Sequence, residues 1–497
     1  MSAETEALIA EYFASGTLAG LPSAHWIDGQ WCAAAGGESM ETFDPGTGRA
    51  FARFAAGDEQ DVEHAVAAAE RASKGPWGKA TPAERSRMLY RAAEGIRTNA
   101  ERLAVIETLD NGKTLAEAQG DVRSAARVFE YYAGAADKLH GETMALGPDY
   151  MAQTSLEPVG ITAHVIPWNY PFSTAARGLA PALAAGCTAV LKPAEQTPLT
   201  ALLLAEILHR AGLPAGVCNV ITGTGARVGA PLVAHPKVRH VTFTGSVQTG
   251  RTVMQAAARN ITSVTLELGG KSPMVVLKDC DLEATVEDAL WAIYSNAGQI
   301  CSAGSRLVIE RSLHAEFVER LAARANQLSV GHGLRNPSIG AISSLEQLEK
   351  ISAYVEDAKT RKIGVLAGGT RLTDPDSGAG WFFAPTLLDR VGPNDRLVQE
   401  EIFGPVLSVQ VADSIEHALE LANGTPFGLA AGIYTRDITK ALRLARDIDA
   451  GQVYINEYFA GGIETPFGGN KLSGFGREKG LEGLRSYCRV KAVTARI

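Results

Sequence analysis

The chain has 497 residues, more than one hydrophobic core ordinarily supports, so two or three domains are expected. Hydrophobic residues make up 46% and charged residues 21%, the balance of a soluble globular protein and not of a disordered or membrane-spanning chain. A net charge of -8, spread without acidic or basic blocks, leaves no electrostatic footprint for nucleic acid.

The N-terminus, MSAETEALIAEYFASGTLAG, has acidic residues where a signal peptide would carry positive charge. Residues 61 to 138 show helical patterns, among them AERSRMLYRAAEGIRTNAERL, which follows Thr81-Pro82 as a capped helix should. Beyond Gly160 short apolar strands alternate with helices: GITAHVIP, a helix from about Ser173, CTAVLKP, a helix after Pro198, VCNVIT, a helix after Gly225, VRHVTFTG, a helix after Ser246, and SVTLELGG. Such alternation implies parallel βαβ units, a sheet suited to a nucleotide. The apolar neighbourhood 159–191 is broken by Pro167, Asn169, Pro171, Arg177 and Pro181, so it is no membrane helix. A second α/β series begins at SPMVVL and continues with a helix over DLEATVEDALWAIYSNAGQ, the strand SRLVIE and a helix near HAEFVERLAARANQL. Residues 362–382 read as a turn-laden surface connection, and GGIETPFGGNKLSGFGREKG as a long glycine-punctuated loop.

Cysteines at 32, 187, 218, 280, 301 and 488 form no C-x-x-C pair and no dense disulfide pattern, so they read as free thiols in a reducing compartment, and a cytoplasmic location is expected. Cys301, in SNAGQICSAGSR, sits among small and polar residues at the end of an expected helix, where a thiol can be approached. Cys187 and Cys218 lie in or beside apolar strand patterns, where a thiol behaves as a small hydrophobe. Glu267, in TLELGGKSP, ends an apolar strand, the place where open parallel sheets bind ligands; a partly desolvated Glu there could be a general base, and an ordinary surface Glu is the equal alternative. Asn169, in VIPWNYPF, is held between prolines and could donate to an oxyanion without a competing proton equilibrium, although turn asparagines are common.

Two glycine-rich segments compete for cofactor phosphates. GTGARVG, containing Gly225, departs from the dinucleotide fingerprint by one extra residue, whereas in FTGSVQTG Gly245 and Ser246 follow a strand and open a helix, so this second segment is preferred. After CTAVLKP, Glu195 of KPAEQTP could accept from ribose hydroxyls and would repel a 2′-phosphate, favouring NAD over NADP. No His/Cys cluster has metal-ligand spacing.

Taken together, VIPWNYPF, KPAEQTP, FTGSVQTG, LELGGKSP, SNAGQICSAGSR, EEIFGP and PFGGNKLSGFGRE, in that order and over essentially the whole chain, resemble the aldehyde dehydrogenase superfamily. The resemblance implies an α/β fold with a Rossmann-type NAD-binding domain (1–137 and 158–269), an α/β catalytic domain (270–482) and a small strand extension for oligomerisation (138–157 and 483–497), assembled as a homodimer or homotetramer. It assigns Cys301 as nucleophile, Glu267 as general base and Asn169, with the Cys301 amide, as oxyanion donor. Lys192 and Glu195 match the adenosine ribose contacts, Gly245 and Ser246 the pyrophosphate turn, and Glu401 with Phe403 the nicotinamide ribose end; Ile166, Pro167, Trp168, Gly225 and Leu268 complete the implied cofactor contacts. The implied reaction is oxidation of an aldehyde by NAD through a thiohemiacetal and a thioester that water hydrolyses, since relatives that acylate coenzyme A usually lack the glutamate.

Two departures bear on the substrate. Arg177 stands where many relatives carry a channel tryptophan, and Gly178 where many carry a lysine that can pair with the glutamate matching Glu478 in a proton path. Arg177 is either a reader of a substrate carboxylate, as in succinate-semialdehyde dehydrogenases whose second arginine falls at Ser295 here, or half of a structural ion pair. Tyr170, Phe172, Tyr458 and Phe459 offer aromatic walls, so an aromatic or medium-sized apolar aldehyde ranks first and a carboxylated semialdehyde second; Arg177 beside the channel argues against a quaternary ammonium aldehyde. A cofactor-free thiol hydrolase is the rival class, but none of the ten histidines occupies a catalytic motif. An inactive binding protein of the same fold is disfavoured by the intact Cys301, Glu267 and Asn169.

Overall fold

Five parallel strands, Ile161–Val165, Thr188–Lys192, Cys218–Val220, Val238–Thr244 and Ser263–Glu267, form the middle of an eight-stranded sheet in the computed structural model, which describes residues 2–497. Their residues are mostly apolar or threonine and mostly buried, with the polar His164, Lys192, Asn219 and His240 also inside, because helices cover both faces. The sheet order runs from Cys218–Val220 through Thr188–Lys192 to Ile161–Val165, then to Val238–Thr244 and Ser263–Glu267. The chain therefore winds outward from Ile161–Val165 in one direction and returns to wind in the other. Between Ile161–Val165 and Val238–Thr244 the winding reverses, and a crevice opens beyond their carboxyl ends.

Glu267 closes the last parallel strand of this sheet, and only five residues, Leu268 to Ser272, separate it from Pro273–Val276, a central strand of the second sheet. That second, seven-stranded sheet is parallel except for its edge strand Gly364–Ala367. A third element, the antiparallel sheet of Thr143–Met144, Tyr150–Pro158 and Cys488–Arg496, projects exposed apolar side chains at Met144, Tyr150, Met151, Val490 and Val493. Among the described residues no helix is long and apolar enough to cross a membrane.

Several expected elements shift, each for a local reason. The helix expected from about Ser173 begins at Pro171, whose missing N–H costs nothing in a first turn. The helix expected after Gly225 is a π-helical turn, Gly225–Gly229, followed by the short Ala230–Ala234; Pro231 has no N–H to continue the α ladder. The helix expected through Gln299 stops at Tyr294, because Asn296 and Ala297 take left-handed conformations with φ of 45° and 52°. The segment 362–382 is not simply a surface connection: it contributes Gly364–Ala367 to the edge of the seven-stranded sheet, and Arg371–Leu372 pairs with the buried Phe382–Phe383 in a two-stranded one.

A capping box fixes one support of the active region. Thr114 Oγ1 accepts from the Glu117 amide at 3.3 Å, and the Glu117 carboxylate accepts from the Thr114 amide at 2.9 Å, while its other oxygen accepts from the Asn296 amide at 2.6 Å. Thr114→Ala is predicted to cost about 1 kcal/mol of stability, read as a lower urea midpoint with an unchanged slope.

Candidate active site

The crevice at the winding reversal contains a cavity of about 170 Å³. Pro167, Trp168 and Asn169 reach it from the loop after Ile161–Val165, Gly245 and Ser246 from the end of Val238–Thr244, and Glu267 from the next strand. Cys301, Glu401 and Phe403 close it from the side of the second sheet. Side chains more than a hundred residues apart thus meet at the seam between two sheets.

Each polar group has a local reason for its place. Gly245 donates to the Glu267 carbonyl at 3.1 Å, and Ser246 caps the helix Val247–Ala258 by accepting from Thr249, so the first-turn amides open towards the crevice. The Asn169 amide donates to the Gln299 carbonyl at 2.8 Å, which leaves its second hydrogen for the cavity that Asn169 lines. The loop itself is clamped: Asn111 donates to the carbonyls of Trp168 at 2.8 Å and Asn169 at 3.3 Å, and Asn296 to that of Asn169 at 3.0 Å. Glu401 accepts from the Gly270 amide at 3.0 Å, and Trp168 meets Phe403 edge to face with ring centres 5.3 Å apart.

The electrostatics are those of a dry site. Glu267 is buried, not an ordinary surface glutamate, and neither of its carboxylate oxygens has a protein partner. Burial, then repulsion by Glu478, push its carboxyl well above the usual range, against the pull of Arg177, Arg477 and Lys479. Burial pushes the Cys301 thiol up to about 12; Arg177 pulls it back, and Glu267 and Glu401 push it further. In the protein alone Cys301 is therefore a protonated thiol at neutral pH.

Some expected site residues stand elsewhere. Lys192 and Glu195 pair with each other at 2.8 Å beyond the neighbouring strand and do not line this cavity. Ile166 is tied by its amide to the Lys192 carbonyl at 3.1 Å, Leu268 packs against Gly250, and Gly225 lies in the π-helical turn away from the cavity lining. Tyr170 lies under the Lys113 ammonium at 4.1 Å from the ring centre. Phe459, at φ 61°, packs edge to face on Tyr458, which is buried with its hydroxyl on the Ser302 carbonyl at 3.0 Å.

Of the two readings of Arg177, the structural ion pair is the one present in the protein alone. Arg177 Nε and Nη2 both donate to Glu478 Oε2, the Nε at 2.8 Å, with the two side chains only 15% and 4% exposed. A cation drawn this far from water needs such a partner, and the structural ion pair is what forms. At Gly178, the place of the relatives' lysine, a Cβ would come within 2.7 Å of His164 Nδ1. The residues that sequence reasoning missed are Gln347 and Lys350 on the helix Leu345–Thr360, which line the cavity. Gln347 donates to the Phe403 carbonyl at 2.7 Å, yet nothing in its sequence setting marks it.

The burial of Cys301 has a measurable sign. Its thiolate fraction grows with pH throughout the neutral range, so alkylation of Cys301 in the cofactor-free protein is predicted to accelerate continuously from pH 6 to about 9, followed by peptide mapping. A plateau by pH 7.5 would contradict it.

The chain is similar to known proteins over nearly its whole length. A model of the Aldehyde dehydrogenase family matches residues 31–493. The chain is 44% identical to hydroxyisobutyraldehyde dehydrogenase of Mycolicibacterium austroafricanum, over 95% of this chain and 93% of that protein. It is 41% identical to betaine aldehyde dehydrogenase of Bacillus subtilis, over 94% and 96%. Among solved structures, the NAD+ complex of aldehyde dehydrogenase from Bacillus cereus matches with a TM-score of 0.94 and 39% identity, covering 100% of this chain and 99% of that one. The chain belongs to the aldehyde dehydrogenase family.

Proposed function

We propose that this enzyme is an NAD-dependent aldehyde dehydrogenase that oxidises an aromatic or medium-sized apolar aldehyde to its carboxylic acid, with Cys301 as nucleophile, Glu267 as general base and Asn169 as oxyanion donor. The observation that carries this reading is the convergence of these three side chains, from different strands and loops, on one cavity beside an open helix N-terminus. The donor set suits NAD: the helix amides after Ser246 for the pyrophosphate, Glu401 for a ribose, and Glu195 as a carboxylate that disfavours a 2′-phosphate.

Cys301 releases its thiol proton to water, its Sγ as thiolate attacks the aldehyde carbon, and the free Asn169 amide hydrogen and the Cys301 backbone amide hold the oxygen as charge develops on it. NAD, when bound, supplies the acceptor for the aldehyde hydride, which leaves a thioester on Cys301. Glu267, in its ionised form, takes a proton from water, and the hydroxide so formed displaces the Cys301 thiolate to give the acid. Burial of Glu267 keeps it a stronger base than an exposed glutamate.

The pairing of Arg177 with Glu478 favours the apolar substrate over the carboxylated one, because the guanidinium is already committed. The exposed apolar residues of the three-stranded sheet support a homodimer or homotetramer in which a second copy covers them, and the cysteine spacing supports a cytoplasmic enzyme.

Cys301→Ala is predicted to abolish NADH formation. Glu267→Gln is predicted to leave one rapid burst of NADH per site and to slow the following hydrolysis by about 10²–10⁴-fold. Full NADH production by the first variant, or undiminished hydrolysis in the second, would refute the assignment. Across a panel, kcat/KM is predicted to favour benzaldehyde-type over carboxylated aldehydes, and the reverse order would restore the semialdehyde reading.

A further inference from the structure

Glu267 is crowded by another buried carboxylate. A Cβ on Gly468 would lie 2.8 Å from Glu267 Oε1 and 2.9 Å from Arg477 Cδ, so this loop presses directly on the base. The adjoining Phe467 pairs with Glu478 through both backbone hydrogen bonds, at 2.7 and 2.8 Å. Glu267 Oε1, Glu267 Oε2 and Glu478 Oε1 are all buried without a partner, while Glu478 Oε2 takes both donors from Arg177. Two carboxylates thus share one neighbourhood, and a single guanidinium is bonded to only one of them.

The other charges facing Glu267 are accounted for. Arg477, on the same loop, spends its guanidinium on neutral acceptors, Gly476 O at 2.7 Å, Asn470 Oδ1 at 3.0 Å and Gly469 O at 3.1 Å. Lys479 and Arg177 each sit 5.3 Å from the centre of the Phe467 ring, and Lys479 has no carboxylate within ion-pair distance among the described residues. Cys301 is the remaining titratable group of the cluster.

We infer that the Arg177–Glu478 ion pair is a positioning device that governs when Glu267 can accept a proton from the hydrolytic water, an inference that rests on the reading of Glu267 as general base. Glu478 opposes the ionised form of Glu267 and Arg177 favours it, so the two halves of one ion pair act on the base with opposite signs. Arginine does not surrender its proton in proteins, so Arg177 acts as a fixed charge and carries none. A residue of purely structural value would not act in this signed way.

The test is the pH profile of the slow hydrolysis phase that follows the NADH burst, measured on the full enzyme. In the wild type this rate rises with pH as Glu267 ionises. Glu478→Gln removes the repulsion and frees Arg177, so the rising limb moves to lower pH; Arg177→Gln removes the attraction, so it moves to higher pH, each by about one unit. Arg177→Lys keeps the charge and holds the limb near its wild-type place. If either single variant fails to fold, the double variant Arg177→Gln with Glu478→Gln leaves no uncompensated charge, and its limb lies above that of Glu478→Gln and below that of Arg177→Gln. Limbs that stay still, or move in the same direction, overturn the inference, as does an Arg177→Gln effect confined to KM for carboxylated aldehydes. Undiminished hydrolysis in Glu267→Gln defeats the base assignment itself, whereas blocked hydrolysis in that variant with unmoved limbs elsewhere defeats only the ion pair's role.

Discussion

The constraint on which the site depends is the close approach of main chain where the two large sheets join. The linker Leu268 to Ser272 has almost no room for side chains at its centre: a Cβ on Gly270 would come within 2.6 Å of the Cys301 carbonyl, and one on Gly269 would collide with the Glu401 carboxylate. Hydrogen bonds hold the linker on every side. Leu268 donates to the Ser473 carbonyl at 3.0 Å, Ser473 Oγ donates to the Gly269 carbonyl at 2.8 Å, and Arg306 Nε donates to the Lys271 carbonyl at 2.7 Å. Glu267 at one end, Cys301 against the middle and Glu401 on the amide of Gly270 are therefore fixed relative to one another through the linker's main chain.

The same seam sets the electrostatics. Closing two hydrophobic sheets around these groups removes the water that would otherwise solvate a thiolate and a carboxylate, so both acids are pushed up by burial before any neighbour acts. The site answers with few cations. Arg177 is bonded to Glu478, and Lys479 is lowered to about 8 by its own burial and by Arg177. Breaking the Arg177–Glu478 pair would leave one buried charge uncompensated, a loss of about 3–5 kcal/mol for such pairs.

Much of this was legible in the sequence, and the parts that were not share a physical cause. Strand and helix alternation from Gly160 to Gly270 follows from local apolar runs and cap residues, and it fixes the winding reversal that places Asn169 beside Gly245. Motif segments located Cys301 and Glu267, since small residues around each betray close backbone approach. The partner of Arg177 lies 301 residues away, and no local pattern connects the two. Gln347 and Lys350 reach the cavity because of where the helix Leu345–Thr360 docks, which a capped amphipathic helix does not announce. The end of the helix at Tyr294 was hidden for a similar reason: Asn296 adopts its left-handed backbone while Glu117 takes its amide and Asn169 its side chain, both distant in sequence.

These distant partners also explain why a polar, costly cluster lies beneath the Trp168–Asn169 loop. Lys113 is fully buried, bonded to Asp121 at 2.5 Å and facing Glu107 at 3.6 Å, while Glu107 accepts from the Phe172 amide at 3.4 Å and from Thr200 at 2.7 Å. Apolar residues would fill the same volume without the desolvation cost of three charges. They could not, however, donate or accept at fixed points. Asn111, between this cluster and the loop, holds the carbonyls of Trp168 and Asn169, and Glu117 holds the amide of Asn296, which in turn grips Asn169. The buried network thus exchanges packing stability for the fixed direction of one amide, the pre-aimed donor that the proposed role of Asn169 requires.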